Sequence, residues 1–212
     1  MGTFATIATV SYLLGSIPFG YILMRVFRGQ DVRQTGSGNI GATNVARSSP
    51  ILGIVTLALD VGKGWLAVTA SILFCPNHLD GPRAVAFCMA LAGLGALVGH
   101  IFPIWLKFRG GKGVATATGS FAVLAPNAML VAFGAFLLVV LLSRYVSLGS
   151  VVAAAVFPLA AYLLNRSAFP TSVYAVMGLG SALIVIRHHA NIRRLLAGTE
   201  NRLQFGRGKE SA

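Results

Sequence analysis

Long apolar segments separated by short basic segments form the main pattern along the chain. Crossing the hydrocarbon core of a bilayer takes about 20 apolar residues in a helix. Runs of that length, or nearly so, occupy 3 to 27, 51 to 74, 84 to 106, 114 to 143, 146 to 164 and 170 to 186. The pattern predicts an all-α, polytopic integral membrane protein with a single membrane domain over 1–212.

Composition supports a membrane protein and argues against a soluble one. Hydrophobic residues make up 56% of the chain and charged residues only 10%, and the mean hydropathy is +0.77. That is too few charges to coat a soluble globule of this size. The net charge of +12 would suggest nucleic acid in a soluble protein. Here the positive charges lie between apolar runs, as the positive-inside bias requires, so we expect no nucleic-acid partner.

The basic connections fix the expected topology. The segments 28 to 50 and 107 to 113 and the C-terminal tail all carry clustered Lys and Arg, so all three are expected in the cytoplasm. Six crossings would put the tail on the wrong side, so the number of crossings must be odd. Pro126 and Asn127 are a turn signal that divides 114 to 143 into two helices. The sequence therefore predicts seven transmembrane helices, with the N-terminus outside and the C-terminus cytoplasmic.

Both ends of the chain and both cysteines carry weaker signals. The first run lacks a cationic start and a cleavage pattern, so we interpret it as a retained span. The polar segment 198–212 is predicted to be a mobile cytoplasmic tail that packs nothing against the membrane domain. Cys75 and Cys88 show no C-x-x-C spacing and no Cys/His cluster, so neither a metal site nor a disulfide framework is expected.

The stretch TGSGNIGATN contains a literal G-x-G-x-x-G at Gly36, Gly38 and Gly41. A dinucleotide site needs a preceding strand and an acid about 20 residues on, whereas here a membrane helix precedes and Asp60 lies in an apolar run. What remains is a glycine loop whose N–H groups could approach an anion. An ordinary glycine-rich connection is the alternative. Further donors in this segment are the short polar side chains and one guanidinium, Ser37, Asn39, Thr43, Asn44 and Arg47.

The stretch FRGGKGVATATG resembles a P-loop only in part. Gly113 follows Lys112 where Ser or Thr should stand, and no strand precedes it, so ATP hydrolysis is not supported. A turn built from Gly110, Gly111 and Gly113 that opens a helix at 114 still predicts an anion site, with Lys112 as its point charge. The alternative is a flexible positive-inside loop.

The stretch RHHANIRRLLAG predicts a cytoplasmic helix that ends at a glycine. His188 and Asn191 are three apart and share a face of this helix. Alone, the segment could be an amphipathic helix on the lipid headgroups. Three polar or basic segments predicted at one membrane face make a shared site the better interpretation.

Few acidic residues and no recognised nucleophile motif limit the other kinds of catalysis that this chain could perform. Asp60 and Lys63 lie inside an apolar run, where we expect an i, i+3 ion pair that fixes the helix near the site in preference to direct catalysis. The chain has five acidic residues, no H-x-x-x-x-D and no G-x-S-x-G elbow. We therefore expect a site that binds phosphates.

Three segments in register, GSGNIGATNVAR (36 to 47), GHIFPIWLKFRGGKGVAT (99 to 116) and RHHANIRRLLAGTENRL (187 to 203), resemble the signature loops of the bacterial acyl-phosphate:glycerol-3-phosphate acyltransferases, the PlsY family. The length, the span pattern and LDVGKG also fit. The resemblance implies transfer of a fatty acyl group from acyl phosphate to the 1-hydroxyl of glycerol 3-phosphate, giving lysophosphatidic acid and phosphate. It implies no cofactor, a place among the lipids of the bacterial inner membrane with the site on the cytoplasmic face, and contact with the soluble enzyme that makes acyl phosphate.

The resemblance also implies roles for individual residues. Arg47, Lys112, His188 and Asn191 match the residues around glycerol 3-phosphate, and the H-x-x-N spacing favours His188 over His189. Ser150 is a further candidate, although Ser147 lies one helical turn away. The general base stays open between His188 and a substrate phosphate. The residues that match the loop holding acyl phosphate are Ser37, Gly38, Asn39, Gly41, Thr43 and Asn44.

Two other functions fit part of the pattern. A transporter of a small phosphorylated anion would need basic loops and an interrupted helix, but its site belongs near the midplane between repeated halves, and no repeat is visible. A scaffold anchored to anionic lipid explains the basic tail and leaves the glycine loops without a purpose.

Overall fold

The computed structural model describes residues 2–75, 81–166 and 168–203, and these are helical with no strand among them. This confirms the predicted all-α membrane class. Within the described residues, five segments are long and apolar enough to cross a membrane, and counting the bent pair Thr171–Arg187 with His189–Leu196 as one span makes six. The helices are α1 (Gly2–Gly15), α2 (Phe19–Arg28), α3 (Ala42–Ser48), α4 (Pro50–Phe74), α5 (Pro82–Ile101), α6 (Val114–Leu124), α7 (Pro126–Ser143), α8 (Val146–Leu164), α9 (Thr171–Arg187) and α10 (His189–Leu196).

The first apolar run is two helices where the sequence predicted one. The chain leaves helical geometry between α1 and α2, where Pro18 has no N–H to continue the ladder and disfavours a helical residue before it. The break exposes the carbonyl of Ile17, which accepts a hydrogen bond from Lys63 Nζ at 2.9 Å. The N–H of Phe19 also donates to this carbonyl, at 3.1 Å, so a buried cation on α4 adds a second hydrogen bond to the main chain at the break.

The predicted division of 114 to 143 is confirmed. α6 ends at Leu124, Ala125 leaves helical geometry, and Pro126 is the first residue of α7. α6 has only 11 residues, about 16 Å at 1.5 Å per residue.

α6 lies against α4 with almost no side chains between the two backbones. A Cβ on Gly64 would collide with the carbonyl oxygen of Thr116, and a Cβ on Gly119 would collide with that of Val61. Small residues allow this approach, which is a common way to pack helices inside a membrane. The short helix is therefore held by direct backbone contact with a long one.

A buried ionic group lies within the helix bundle. Lys63 Nζ and Asp60 Oδ1 are 2.8 Å apart, which confirms the predicted i, i+3 pair. His100 on α5 brings Nδ1 to 3.5 Å from the same carboxylate oxygen. All three side chains are almost completely buried, so the group joins α4, α5 and the break in the first span.

The two cysteines are joined, so the expectation of no disulfide was wrong. Cys75, the residue after α4, is bonded to Cys88, two turns into α5. The spacing of the two residues gave no signal, because the pairing depends on α4 and α5 packing side by side, which brings the two Cα atoms to 6.1 Å.

Candidate active site

The three polar segments singled out from the sequence meet at one end of the helix bundle, as predicted. Leu106 of the second segment packs in one cluster with Ile40 and Val45 of the first and with Met24 and Val32, which precede it. The third segment contacts the start of α8 and borders the first two across a cleft. Residues that are more than 150 positions apart in the chain thus share one polar region.

Asn44 organises the first segment. It is buried, its Oδ1 accepts a hydrogen bond from the N–H of Ser37 at 2.8 Å, and its Nδ2 donates to main-chain carbonyls of Val32, Thr35 and Asn39 at 2.8 to 3.0 Å. These bonds explain why an amide side chain stands at this position. The geometry gives Asn44 a role in shaping the loop, and its predicted contact with substrate stays a prediction.

Three N–H groups of the glycine loop donate hydrogen bonds within the loop and its flanking residues. Ser37 N–H donates to Asn44 Oδ1, Gly38 N–H to the carbonyl of Thr35 at 3.0 Å, and Gly41 N–H to Asn39 Oδ1 at 2.8 Å. A loop tightened by left-handed turns at Gly36 and Gly38 closes these three hydrogen bonds itself, and the expected contact of its amides with an anion stays a prediction. Charged side chains must supply much of the binding.

The second segment folds over His100. The N–H groups of Gly110 and Gly111 donate to the carbonyls of Ile101 and His100 at 3.1 and 3.0 Å. A Cβ on Gly111 would collide with His100 Nε2, so only glycine fits over the ring. Gly113 then adopts a left-handed conformation and opens α6. His100, which the sequence analysis did not single out, therefore supports the turn that carries Lys112.

The third segment bends sharply at His188, where α9 and α10 meet at 53°. His188 is buried and its Nδ1 lies 2.7 Å from the carbonyl of Ile184, whereas His189 is exposed. A carbonyl can only accept, so Nδ1 carries the proton and Nε2 presents a lone pair. This geometry supports the choice of His188 that the H-x-x-N spacing favoured.

Glu200 is the centre of a hydrogen-bonded group that the sequence analysis missed. Its Oε1 accepts from Asn191 Nδ2 at 2.6 Å and from Ser147 Oγ at 2.9 Å, and its Oε2 accepts from Arg194 Nε at 2.6 Å. Burial opposes its ionisation, but the bonds from Asn191, Arg194 and Ser147 outweigh it and lower the pKa of Glu200. The carboxylate is ionised and ties α10 to α8.

This contact corrects one statement about the tail. We expected nothing in 198–212 to pack against the membrane domain, yet Glu200 is nearly buried against α8 and the N–H of Leu203 donates to the carbonyl of Arg144 at 2.7 Å. A sequence pattern of polar residues and glycines does not show which single side chain finds a buried partner. Residues 204–212 lie outside the described part of the chain.

Lys112 and His188 carry shifted pKa values. Burial lowers the pKa of Lys112 to about 8, with Glu200 opposing the shift and the cations Arg194, Arg47 and Arg187 adding to it. Burial also lowers the pKa of His188 to about 4, against the bond to Ile184 and with Lys112 contributing. At neutral pH the lysine is charged and the histidine neutral, a combination that suits an anion beside a hydroxyl group.

The other predicted residues lie around this group. Arg47 lies against Gly36, where a Cβ would meet its Nη1 at 3.3 Å, and Thr43 is exposed on α3. Ser150 donates to the carbonyl of Val146 at 2.9 Å within its own helix, so Ser147 is the serine that contacts Glu200. The part that Ser150 plays in binding stays a prediction.

An open cleft of about 580 Å³ separates the first and second segments. It contains four predicted residues together with three arginines that the sequence analysis treated only as topological charge or passed over. Arg33 and Arg109 lie beside and inside the glycine motifs, and Arg187 directly precedes His188. The cleft is lined by Asp31, Arg33, Gln34, Ser37, Gly38, Asn39, Phe108, Arg109, Gly110 and Arg187.

No group of three metal-ligating side chains occurs within 2–75, 81–166 and 168–203. Besides the carboxylates of Glu200 and Asp31 and the amide of Asn191, the described site offers cations, hydroxyl groups and one neutral imidazole. Such groups bind phosphates and orient a hydroxyl.

Comparison with known proteins gives the family. The description of the family that matches residues 5–198 is glycerol-3-phosphate acyltransferase. The chain belongs to this family. A glycerol-3-phosphate acyltransferase of Syntrophotalea carbinolica is 44% identical over 205 residues, covering 96% of this chain and all of that protein. One from Trichlorobacter lovleyi is 46% identical over 195 residues, covering 92% of this chain and 94% of its own length.

Solved structures of the family share this fold. The glycerol 3-phosphate form of PlsY, an integral membrane glycerol 3-phosphate acyltransferase, is 35% identical with a TM-score of 0.84, covering 95% of this chain and 96% of that one. Its lysophosphatidic acid form is 34% identical with a TM-score of 0.80, and the match covers 95% of each chain. The resemblance to the PlsY family that the sequence suggested is thereby confirmed.

Proposed function

We propose that this protein moves a fatty acyl group from acyl phosphate to the 1-hydroxyl of glycerol 3-phosphate, giving lysophosphatidic acid and phosphate. The observation that carries the proposal is the meeting of three distant motifs in one cationic region that holds a neutral imidazole beside a charged lysine. Both substrates bear phosphate groups, and a mixed anhydride is already activated, so positioning and charge can supply much of the rate.

In the proposed reaction the 1-hydroxyl oxygen forms a bond to the acyl carbon, and the bond from that carbon to the phosphate oxygen breaks. The hydroxyl proton passes to His188 Nε2 or to the departing phosphate. Lys112 and Arg47 bind the phosphate of glycerol 3-phosphate, and Asn191, held by Glu200, fixes the polar edge of that subsite. His188 accepts a hydrogen bond from the attacking hydroxyl because its Nδ1 is already engaged.

The proposed topology is seven crossings of the bacterial inner membrane, with the site at the cytoplasmic face. The short helix α6 is counted as one of these crossings, in addition to the five long segments and the bent pair. Arg33, Arg109 and Arg187 line the cleft, and such a cluster of basic side chains at the site's end of the bundle agrees with the positive-inside bias. This end also faces the compartment where soluble phosphate esters are made, so contact with the soluble enzyme that makes acyl phosphate belongs to the same proposal.

The test is a turnover assay in mild detergent. Palmitoyl phosphate is supplied with and without glycerol 3-phosphate, and phosphate release and lysophosphatidic acid are measured for the wild type, Arg47→Ala and Lys112→Ala. Release that requires glycerol 3-phosphate and collapses in both variants is expected. An intact, folded wild type without turnover would overturn the proposal, and vesicle uptake would then test the transporter alternative, which the family membership does not favour.

A further inference from the structure

Arg187 presents a buried side-chain donor, its Nε, that has no hydrogen-bond partner among the described residues. Its guanidinium carbon lies 5.5 Å from the ring centroid of Phe102, an arrangement that favours a fixed guanidinium over the ring. A buried donor without a partner is costly unless a ligand supplies the acceptor.

The cleft that Arg187 lines has few other free donors. Arg33 also lines it, but its guanidinium is held by Asp31 at 2.6 Å and covers the ring of Tyr21. Arg109 is exposed. The N–H groups of Ser37, Gly38 and Gly110 are engaged within their own segments.

We propose that Arg187 binds the phosphate group of acyl phosphate in this cleft and holds it as the phosphate leaves. The guanidinium fork matches two phosphate oxygens. Arg187 is followed directly by His188, and consecutive Cα atoms are about 3.8 Å apart, so donor and acceptor subsites adjoin. The inference rests on the proposed function, which it deepens by assigning the donor's phosphate to the cleft and the acceptor's phosphate to Lys112 and Arg47.

A second observation supports the two adjoining subsites. Arg187 is one of the cations that, after burial, lower the pKa of Lys112. The two like charges repel each other, and an anion bound beside either of them relieves that repulsion.

The experiment measures lysophosphatidic acid formation with inorganic phosphate as inhibitor, varied against each substrate in turn. In the wild type, inorganic phosphate is expected to compete with palmitoyl phosphate. Arg187→Gln is expected to raise both the KM of palmitoyl phosphate and the Ki of inorganic phosphate about tenfold or more, while the KM of glycerol 3-phosphate stays nearly unchanged. Arg193→Gln, an exposed arginine on α10, is the matched control and should change neither constant.

The possible results distinguish failure of this inference from failure of the proposed function. Unchanged donor KM and phosphate Ki in Arg187→Gln would overturn the inference and leave the acyltransferase proposal standing, and so would a rise in the KM of glycerol 3-phosphate alone. Absence of turnover in the wild type would defeat the proposed function. In that case a rise in melting temperature with inorganic phosphate, lost in Arg187→Gln, would still support phosphate binding by Arg187, and no rise would overturn it.

If Arg187→Gln does not fold, Arg187→Lys is measured in the same way. Lysine keeps the charge and loses the fork, so an intermediate rise in both constants is expected. Constants equal to those of the wild type would show that the fork is not used.

Discussion

Asn191 Nδ2 donates a 2.6 Å hydrogen bond to Glu200 Oε1, and this bond fixes the amide of the H-x-x-N motif. The same carboxylate oxygen accepts from Ser147 on α8. The amide would otherwise be free to rotate at the edge of the site. One acid therefore joins the third motif to a helix that contains none of the three motifs.

We predict that Glu200→Ala lowers activity at least about tenfold and lowers the melting temperature, because it leaves a nearly buried set of charge-assisted donors without an acceptor. Glu200→Gln, which keeps one carbonyl acceptor, should lose less. Thr199→Ala at the exposed neighbouring position serves as the control. Equal activity in Glu200→Ala and the wild type would remove Glu200 from the site.

The pKa of Lys112 gives a prediction about pH. Its pKa of about 8 means that the ammonium is charged below that pH and becomes neutral above it. We expect the KM of glycerol 3-phosphate to rise as the pH increases through about 8. In Lys112→Arg the guanidinium stays protonated, so this rise should disappear. A wild-type KM that is constant from one pH unit below to one unit above would contradict the assignment.

The contact between α4 and α6 predicts different outcomes for two glycines. Gly119→Ala puts a Cβ against the carbonyl of Val61 and should cost about 1–3 kcal/mol through forced separation of the helices. Gly62→Ala, on α4, places its new methyl group where no other atom lies within 4 Å, so it should be neutral or slightly stabilising. Thermal unfolding of both purified variants checks this, and equal melting temperatures would argue against the close packing.

The buried ion pair predicts non-additive behaviour. Lys63→Met leaves Asp60 buried without its closest cation and removes one of the two hydrogen bonds to the carbonyl of Ile17, which should cost about 3–5 kcal/mol. The double variant Lys63→Met with Asp60→Asn removes both charges and should recover much of that loss. A double-mutant cycle on thermal stability measures the coupling, and simple addition of the two effects would show that the pair is not coupled.

Much of this fold could be predicted because hydropathy and helix breakers act locally. The spans followed from apolar length, and Pro126 marked the break between α6 and α7. Pro18 carries the same signal, but it lies inside a run of the right length for one span, so length concealed the break.

The motifs of the site could be predicted from the sequence, whereas the side chains that contact them were harder to predict. His188 and Lys112 stand out by residue type and spacing. Glu200 and the disulfide of Cys75 with Cys88 depend on which helices become neighbours, and a single sequence does not state that. The glycine loop was predicted as an anion cradle, whereas the side chain of Asn44 turns part of it inward.

The site is built from residues that are far apart in the chain, and this affects when during synthesis the site can form. Its groups come from the loop around Asn44, the turn at Lys112, the start of α8 and finally Glu200. A nascent chain that has not yet inserted α9 and α10 lacks the bent segment at His188 and the carboxylate that holds it. We therefore expect acyl transfer only after these two helices have reached the rest of the bundle.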